Sequence, residues 1–406
     1  MVQDRANVVI IGAGIAGGSI AYHLAKFGRR DIVVVEQGEL VSGTTSHAPG
    51  LVGQLRSSVS LMTMLMYSTS LYRELKVDGV PGYFEVGSLR LASSKGRLEE
   101  IKKQADFATT HGLEAGLIDP HQAGEMFPLM SMDSVEGALY VPSDGSATAP
   151  ILAQALINEA SAMGVKFHAN TRVQGIEVAN GHVTGLSTSA GNIETETLVI
   201  ASGIWSPLVG RLAGVAVPLT PMQHQYVMSA PLTELEERTV PNLRDPDKLV
   251  YFRQNGESLV FGGYERTPMP FKADQIPDRP DPTVQTFNAS NFDSLMANAT
   301  SRVPLLQDTP MIKHVNGLES FTPDGEFVLG PTKQVEGLWI ACGFCAHGVS
   351  SSGGVGRVLA EWIVEGKPGV DLSATDPDRF GDLAGDINFI ESGATKVYST
   401  YYDLSS

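Results

Sequence analysis

The chain has 406 residues, 42% hydrophobic and 18% charged, an ordinary globular balance with room for two or three domains. Acidic residues outnumber basic ones by 45 to 29, and the formal charge of −16 argues against nucleic acid or an anionic membrane surface as a partner. Two cysteines, Cys342 and Cys345, are too few for a disulfide-stapled secreted scaffold, and no apolar run is long enough to span a bilayer, so a reducing, cytoplasmic setting is expected.

In chain order, residues 8–11 form a short β-branched run and predict a strand. Residues 15–27 predict a helix, with Ile20, Leu24 and Phe27 at helical spacing and Gly28 closing it. Residues 32–35 are a second β-branched run, ending in Glu36. A loop rich in Gly, Ser and Thr follows at 42–53, then a helix at 57–75 and an alternating stretch at 82–92 that reads as a strand pair. Helices are expected at 95–111 and 150–163, the second capped by Gly164. Short strands at 165–201 carry an Asn180-Gly181 hairpin turn. A long strand is expected at 217–228, a hairpin at 249–263 and a Pro- and Asp-rich surface loop at 267–283. A buried strand at 338–343 and a helix at 354–365, after a glycine-rich turn, complete the series. The order is α/β at both ends around a β-rich middle, which predicts a nucleotide-binding domain of separated segments with a substrate domain inserted.

Gly12-Ala-Gly14-Ile-Ala-Gly17 fits G-x-G-x-x-G between the first strand and the first helix, and Glu36 lies 19 residues beyond Gly17. That is the full context of a dinucleotide fingerprint. Gly12 permits the tight turn, Gly14 allows backbone N–H groups to approach a pyrophosphate, and Gly17 lets helix pack on strand. The helix N-terminus then faces the phosphate charge. Glu36 suits ribose hydroxyls and disfavours a 2′-phosphate. The fingerprint alone does not separate FAD from NAD.

Several further stretches carry a family resemblance: Ser46-His47-Ala-Pro-Gly50, Gly87-Ser-Leu-Arg-Leu91, Tyr140-Val-Pro-Ser-Asp-Gly145, His224-Gln-Tyr-Val227, Phe321-Thr-Pro-Asp324 and Gly353-Gly-Val-Gly356. With the fingerprint, they resemble the FAD-containing part of the dimethylglycine dehydrogenase, dimethylglycine oxidase and sarcosine dehydrogenase family, within the D-amino acid oxidase-like flavoenzymes. The likeness runs from Val8 to about Asp382. It implies an α/β fold: a Rossmann-like FAD-binding domain over 1–82, 146–215 and 317–372, and an antiparallel, β-rich substrate domain over 83–145 and 216–316. Residues 373–406 are expected to be a C-terminal extension or linker.

The resemblance implies that the cofactor is FAD, bonded covalently through His47. A neutral imidazole nitrogen is a competent nucleophile towards the flavin 8α carbon. Monomeric sarcosine oxidases, which are also similar, attach flavin through a cysteine just before the segment matching Phe321-Thr-Pro-Asp324. Here Asn316-Gly-Leu-Glu-Ser320 has none, which favours His47. The cofactor-binding set is Gly12, Gly14, Ile15, Ala16, Gly17, Glu36, Gln37, Thr45, Ser46, His47, Gly50, Leu51, Val173, Ala201, Gly203, Trp205, Gly348, Val349 and Ser350. His347 is a further candidate beside the ring. The turn before the last helix would direct N–H groups and a helix dipole at reduced flavin. Cys342-Gly-Phe-Cys345 is formally C-x-x-C, but packing is the preferred reading, and no metal site is expected.

The family places a catalytic histidine at His224 and its tyrosine partner at Tyr251. The implied reaction is oxidative N-demethylation of a small N-methylated amino acid of the dimethylglycine or sarcosine type, giving an iminium that hydrolyses to formaldehyde. A histidine titrating near pH 7 would suit removal of the amine proton. Arg253 is a candidate for the substrate carboxylate, since Ser350 replaces the lysine that monomeric sarcosine oxidases use. Alternatives are another secondary or tertiary amine (N-methylaminobutyrate, proline-type or D-amino acid), the flavin subunit of a larger folate-linked enzyme, or a non-catalytic binding module. The acceptor is either oxygen or an electron-transfer flavoprotein. Longer family members continue into a tetrahydrofolate-binding domain, so this chain is expected to stand alone or to be the flavin part of a larger assembly.

Overall fold

The computed structural model describes residues 2–272, 275–276 and 285–404. Two large sheets dominate. The first has the order Lys166–His168, Ile32–Val35, Val8–Ile11, Leu198–Ile200, Leu338–Cys342, Val328–Pro331. Its first five strands are parallel, and Val328–Pro331 runs antiparallel to its neighbour. Val8, Ile10, Ile32 and Val34 pack against helices Ile15–Lys26, Ala149–Ala162 and Gly348–Glu365. Val9, Ile11, Val33 and Val35 pack on the other face, against the three-stranded sheet of Val173–Ala179, His182–Thr188 and Gly191–Glu194. Burial on both faces is why these strands read as unbroken apolar runs. The hairpin expected at Asn180-Gly181 is present, with φ of 52° and 81° at the two turn residues.

The second sheet has eight strands, in the order Met311–Phe321, Thr220–Ser229, Ser258–Gly263, Val250–Asn255, Asn242–Asp245, Ser88–Ala92, Gly137–Val141, Gly116–Ile118. It is antiparallel except where Asn242–Asp245 meets Ser88–Ala92. Helix Ala289–Arg302 covers one face through Phe292, Leu295 and Ala299. On the other, Met222, Tyr251 and Tyr264 cluster with Tyr398 of the C-terminal helix. The first sheet draws its strands from 8–35, 166–200 and 328–342, and the second from 88–141 and 220–321.

The structure departs from the sequence reading in several places. The stretch at 82–92 forms two strands, but they do not pair: Tyr83–Glu85 joins Gly145–Ala147, while Ser88–Ala92 joins the large sheet. Gly87, at φ 76°, turns the chain between them. The loop at 42–53 contains a 3-10 turn, Thr44–His47, and a short strand, Leu51–Val52. The last α/β helix starts at Gly348, so the glycine-rich turn is its first turns. A Cβ on Gly354 would meet the Met64 carbonyl oxygen at 2.2 Å. Its glycine therefore serves close helix packing against Val59–Tyr72. The loop expected at 267–283 lies partly outside the described residues. Helix Ala289–Arg302 and strand Met311–Phe321 are not among the expected elements, although Phe292, Leu295, Met296 and Ala299 stand at helical spacing after the Asn288 cap. Residues 373–404 are no loose linker: helix Ile387–Ser399, capped by Asp386, buries Tyr398, and Tyr402 follows it into the interior. Among the described residues, no helix is long and apolar enough to cross a membrane.

Candidate active site

A cavity of about 600 Å³ is lined by residues of both sheets, within the usual range of small-ligand sites. At one end stand Gly12, Gly14, Ile15 and Ala16 at the start of the first helix. Gly12 has φ 110°, and a Cβ there would lie 2.5 Å from the Ala201 carbonyl oxygen. Thr45 Oγ1 accepts a hydrogen bond from Ile15 N–H at 3.1 Å, which ties the His47 loop to the helix start. Glu36 accepts from Ala13 N–H through Oε2 at 2.8 Å and from Gly38 N–H through Oε1 at 3.0 Å. Each carboxylate oxygen keeps a further lone pair for a ribose hydroxyl.

Gln37, Thr45, His47, Gly50, Leu51, Val173, Ala201, Gly203, Trp205, Gly348, Val349, His224 and Tyr251 also line this cavity. Three residues of the expected cofactor set do not. Gly17 packs on Gly12, where a Cβ would meet its carbonyl oxygen. Ser46 Oγ donates within its own loop to the Gly43 carbonyl, at 2.8 Å. Ser350 Oγ donates to the His347 carbonyl. His347 lies instead on a second cavity, of about 620 Å³, with Nδ1 3.0 Å from Arg56 Nη2. Arg253 is also absent from the first cavity's lining; its guanidinium sits behind Gly50, 3.5 Å from where a Cβ would stand.

His47 ends the 3-10 turn, and its carbonyl accepts from Tyr226 Oη at 3.0 Å. Its Nε2 is buried with no hydrogen-bond partner. The ring lies over Gly317, where a Cβ would stand 2.5 Å from Cδ2. Burial, opposed by the Leu318 carbonyl and helped by Lys313, pushes its pKa down to about 4, so the ring is neutral at pH 7.

His224 is 3% exposed and forms the centre of a hydrogen-bonded chain. Nε2 lies 2.8 Å from Tyr251 Oη and Nδ1 lies 3.0 Å from Tyr398 Oη. Tyr398 donates to Glu265 Oε2 at 2.9 Å, and Asn291 Nδ2 donates to Glu265 Oε1 at 2.8 Å. Since Tyr398 gives its proton to Glu265, its oxygen accepts from His224 Nδ1–H, and His224 Nε2 accepts from Tyr251. Burial pushes the His224 pKa down to about 3. The expectation of a histidine titrating near pH 7 is thereby corrected: both ring nitrogens are engaged and the ring is neutral.

Sequence reasoning missed Arg244, Tyr264, Tyr401 and Glu319, all on the cavity wall. Arg244 and Tyr401 also line the second cavity. The Arg244 strand end is anchored by the next residue, Asp245, which pairs with Arg302 at 2.7 Å, both side chains fully buried. Only the three tyrosines within 398–402 were a signal for the C-terminal contribution, and they carry no motif.

Burial, reinforced by Glu265, pushes the Glu319 pKa up to about 8, and burial pushes that of Glu265 up to about 7. From about pH 4.5 upward, the folded chain therefore holds protons that the unfolded chain has lost, and this pair's contribution to stability falls as pH rises towards 8. Glu319→Gln is expected to raise the melting temperature relative to wild type increasingly from pH 5 to about pH 8.5. Thermal unfolding of both proteins across that range checks this; a constant difference contradicts it.

Residues 7–362 match the family model described as FAD dependent oxidoreductase. The chain belongs to this family, and its cofactor is FAD. It is 36% identical to human mitochondrial sarcosine dehydrogenase over 99% of this chain and 44% of that protein. It is 35% identical to rat mitochondrial dimethylglycine dehydrogenase over 93% of this chain and 45% of that protein. The chain thus spans less than half the length of these two relatives. Among solved structures, L-proline dehydrogenase from P. horikoshii superposes with a TM-score of 0.84 at 24% identity, covering 93% of this chain and 98% of that one, which shows the shared fold.

The residues present fit FAD. A glycine cradle at a helix N-terminus, an acidic residue after the second strand and a neutral histidine with a partnerless buried nitrogen line one cavity.

Proposed function

We propose that the chain performs FAD-dependent oxidative N-demethylation of a small N-methylated amino acid of the dimethylglycine or sarcosine type. The observation that carries this reading is the His224–Tyr251 pair, held by Tyr398 and facing the cavity that the fingerprint and His47 also line. FAD, when bound, supplies the acceptor for a hydride leaving the N-methyl carbon. Tyr251, its proton committed to His224, presents oxygen lone pairs to the cavity, and the neutral His224 keeps that orientation. Arg244 supplies the positive charge for a substrate carboxylate, the place Arg253 does not reach. The resulting iminium hydrolyses to formaldehyde and the demethylated amine.

Covalent attachment through His47 is part of this reading, supported by its neutral ring and free Nε2. The acceptor is oxygen or an electron-transfer flavoprotein. A tetrahydrofolate-binding domain or subunit outside this chain would take up the one-carbon product. The two free, buried cysteines support a reducing compartment, the cytoplasm in this reading.

The test is a panel of dimethylglycine, sarcosine, N-methylaminobutyrate, proline and D-amino acids added anaerobically to the holoenzyme. The N-methylated glycines are expected to bleach the flavin fastest. Faster bleaching by proline or a D-amino acid would shift the substrate class, and no bleaching by any amine would sink the enzyme reading. Re-oxidation with air or with an electron-transfer flavoprotein then separates oxidase from dehydrogenase.

A further inference from the structure

We propose that Glu319 receives the ammonium proton of the substrate. This rests on the amine-oxidising reading above and names the group that prepares the amine.

The strand register comes first. His224 pairs with Gly317 and Met222 with Glu319 across the antiparallel strands Thr220–Ser229 and Met311–Phe321. Opposed residues share a face, as do residues two apart, so Glu319 is the diagonal neighbour of His224. Glu319 lines the cavity, yet its Oε2 is buried with no hydrogen-bond partner. The other carboxylate of this cluster, Glu265, has both oxygens bonded, to Asn291 and Tyr398. Glu319 is thus the acidic group on this wall with accepting capacity to spare. A buried oxygen without a donor is costly, and a ligand N–H satisfies it.

Tyr264 is held between Tyr401 and His224, with ring centroids 3.9 Å and 4.8 Å away, so these rings pack on one another and fix the wall on which Glu319 stands. Arg244 on the same wall offers the opposite charge, so the cavity matches a zwitterion.

His224 does not take this proton, since both its nitrogens bond tyrosine hydroxyls. The titratable groups within electrostatic reach of Glu319 are Glu265, Tyr251, Tyr264 and Tyr398, with His224 at the diagonal position on the neighbouring strand. Burial and the charge of Glu265 bring the carboxyl to about 8, towards the range of alkylamines. In a buried site the neutral forms of both partners are favoured. The N–H bond of the ammonium breaks and an O–H bond forms on Glu319. The nitrogen keeps its electron pair, the two charges cancel, and nothing is oxidised or reduced. The lone pair then needed for iminium formation is in place.

The test uses Glu319→Gln holoenzyme. Wild type takes the abundant ammonium form, so kcat/KM for sarcosine is expected to rise with pH through a limb near 8. The variant must wait for the rare free amine. Its kcat/KM is expected to fall roughly 10²-fold at pH 7.5 and to recover to within several-fold of wild type at pH 10, where the amine itself deprotonates. Spectral titration of the bound flavin gives a second readout. Glycine betaine, whose quaternary ammonium is permanently charged, is expected to bind the variant at least tenfold more weakly, while (methylthio)acetate, with an uncharged sulfur in place of the ammonium, binds both proteins alike. Should Glu319→Gln not yield holoenzyme, Glu319→Asp decides, because it keeps the carboxylate and is expected to keep the limb. An unchanged pH profile in Glu319→Gln, a limb lost in Glu319→Asp, or equal loss of both analogues overturns the inference. If no amine reduces wild type, the underlying enzyme reading has failed instead.

Discussion

His224→Ala is expected to slow anaerobic flavin reduction by an N-methylated glycine by about 10²-fold, the scale for lost positioning of a group at the reacting centre. His224 is the hub through which strands Thr220–Ser229 and Val250–Asn255 and the C-terminal helix set the direction of Tyr251. Alanine leaves the Tyr251 hydroxyl free to rotate and removes the acceptor of its proton. It also strands the buried Tyr251 hydroxyl, at a cost of about 1–3 kcal/mol, while Tyr398 keeps its bond to Glu265. A stability loss is therefore expected beside the kinetic one. Glutamine can replace one of the two bonds, so His224→Gln should fall between alanine and wild type in both. Stopped-flow reduction and thermal melts on the same preparations separate the effects. Wild-type reduction kinetics in His224→Ala would remove the residue from the mechanism.

Acid-denatured wild type should keep its yellow colour in the precipitate, and His47→Ala should release all of it to the supernatant. The reasoning starts from a nucleophile's needs. A histidine attacks as the neutral ring through an unshared pair, and burial holds His47 neutral with Nε2 unbonded. Position is equally constrained. The Tyr226 bond to its carbonyl fixes the turn, and Gly317 leaves the ring room to lie against the opposite strand. His47→Ala retains the fingerprint, so it should still bind FAD, now reversibly. Flavin that washes out of the wild-type precipitate would defeat the covalent assignment, while flavin that stays with His47→Ala would move the linkage elsewhere.

Legibility followed distance along the chain. The fingerprint, its flanking strands and Glu36 lie within residues 8–36, and each depends on neighbours a few positions away. Helix Ala149–Ala162 and the Asn180-Gly181 hairpin were equally readable, because capping glycines and a two-residue turn are local chemistry. The failures were of another kind. The strands near 82–92 were recognised but given the wrong partners, since pairing is settled by whichever edges meet in space. Tyr398 sits in a helix whose apolar face, Ile390, Ala394, Val397 and Tyr398, is spaced legibly, but the surface that receives it is set by the fold. Assigning His224 a pKa near 7 failed because burial, which sequence does not display, sets the charge of an imidazole.

By itself the sequence determined the nucleotide-binding unit, which rests on glycine's backbone freedom and on short-range periodicity. FAD as the cofactor and the role of His47 came from the family resemblance. Tertiary structure alone decided what stands around the reacting centre. Tyr398 reaches His224 across 174 residues, and Glu319 joins them only through the register of two strands. A side chain's face, its partners and its protonation state follow from packing, and packing brings together residues that no local pattern links.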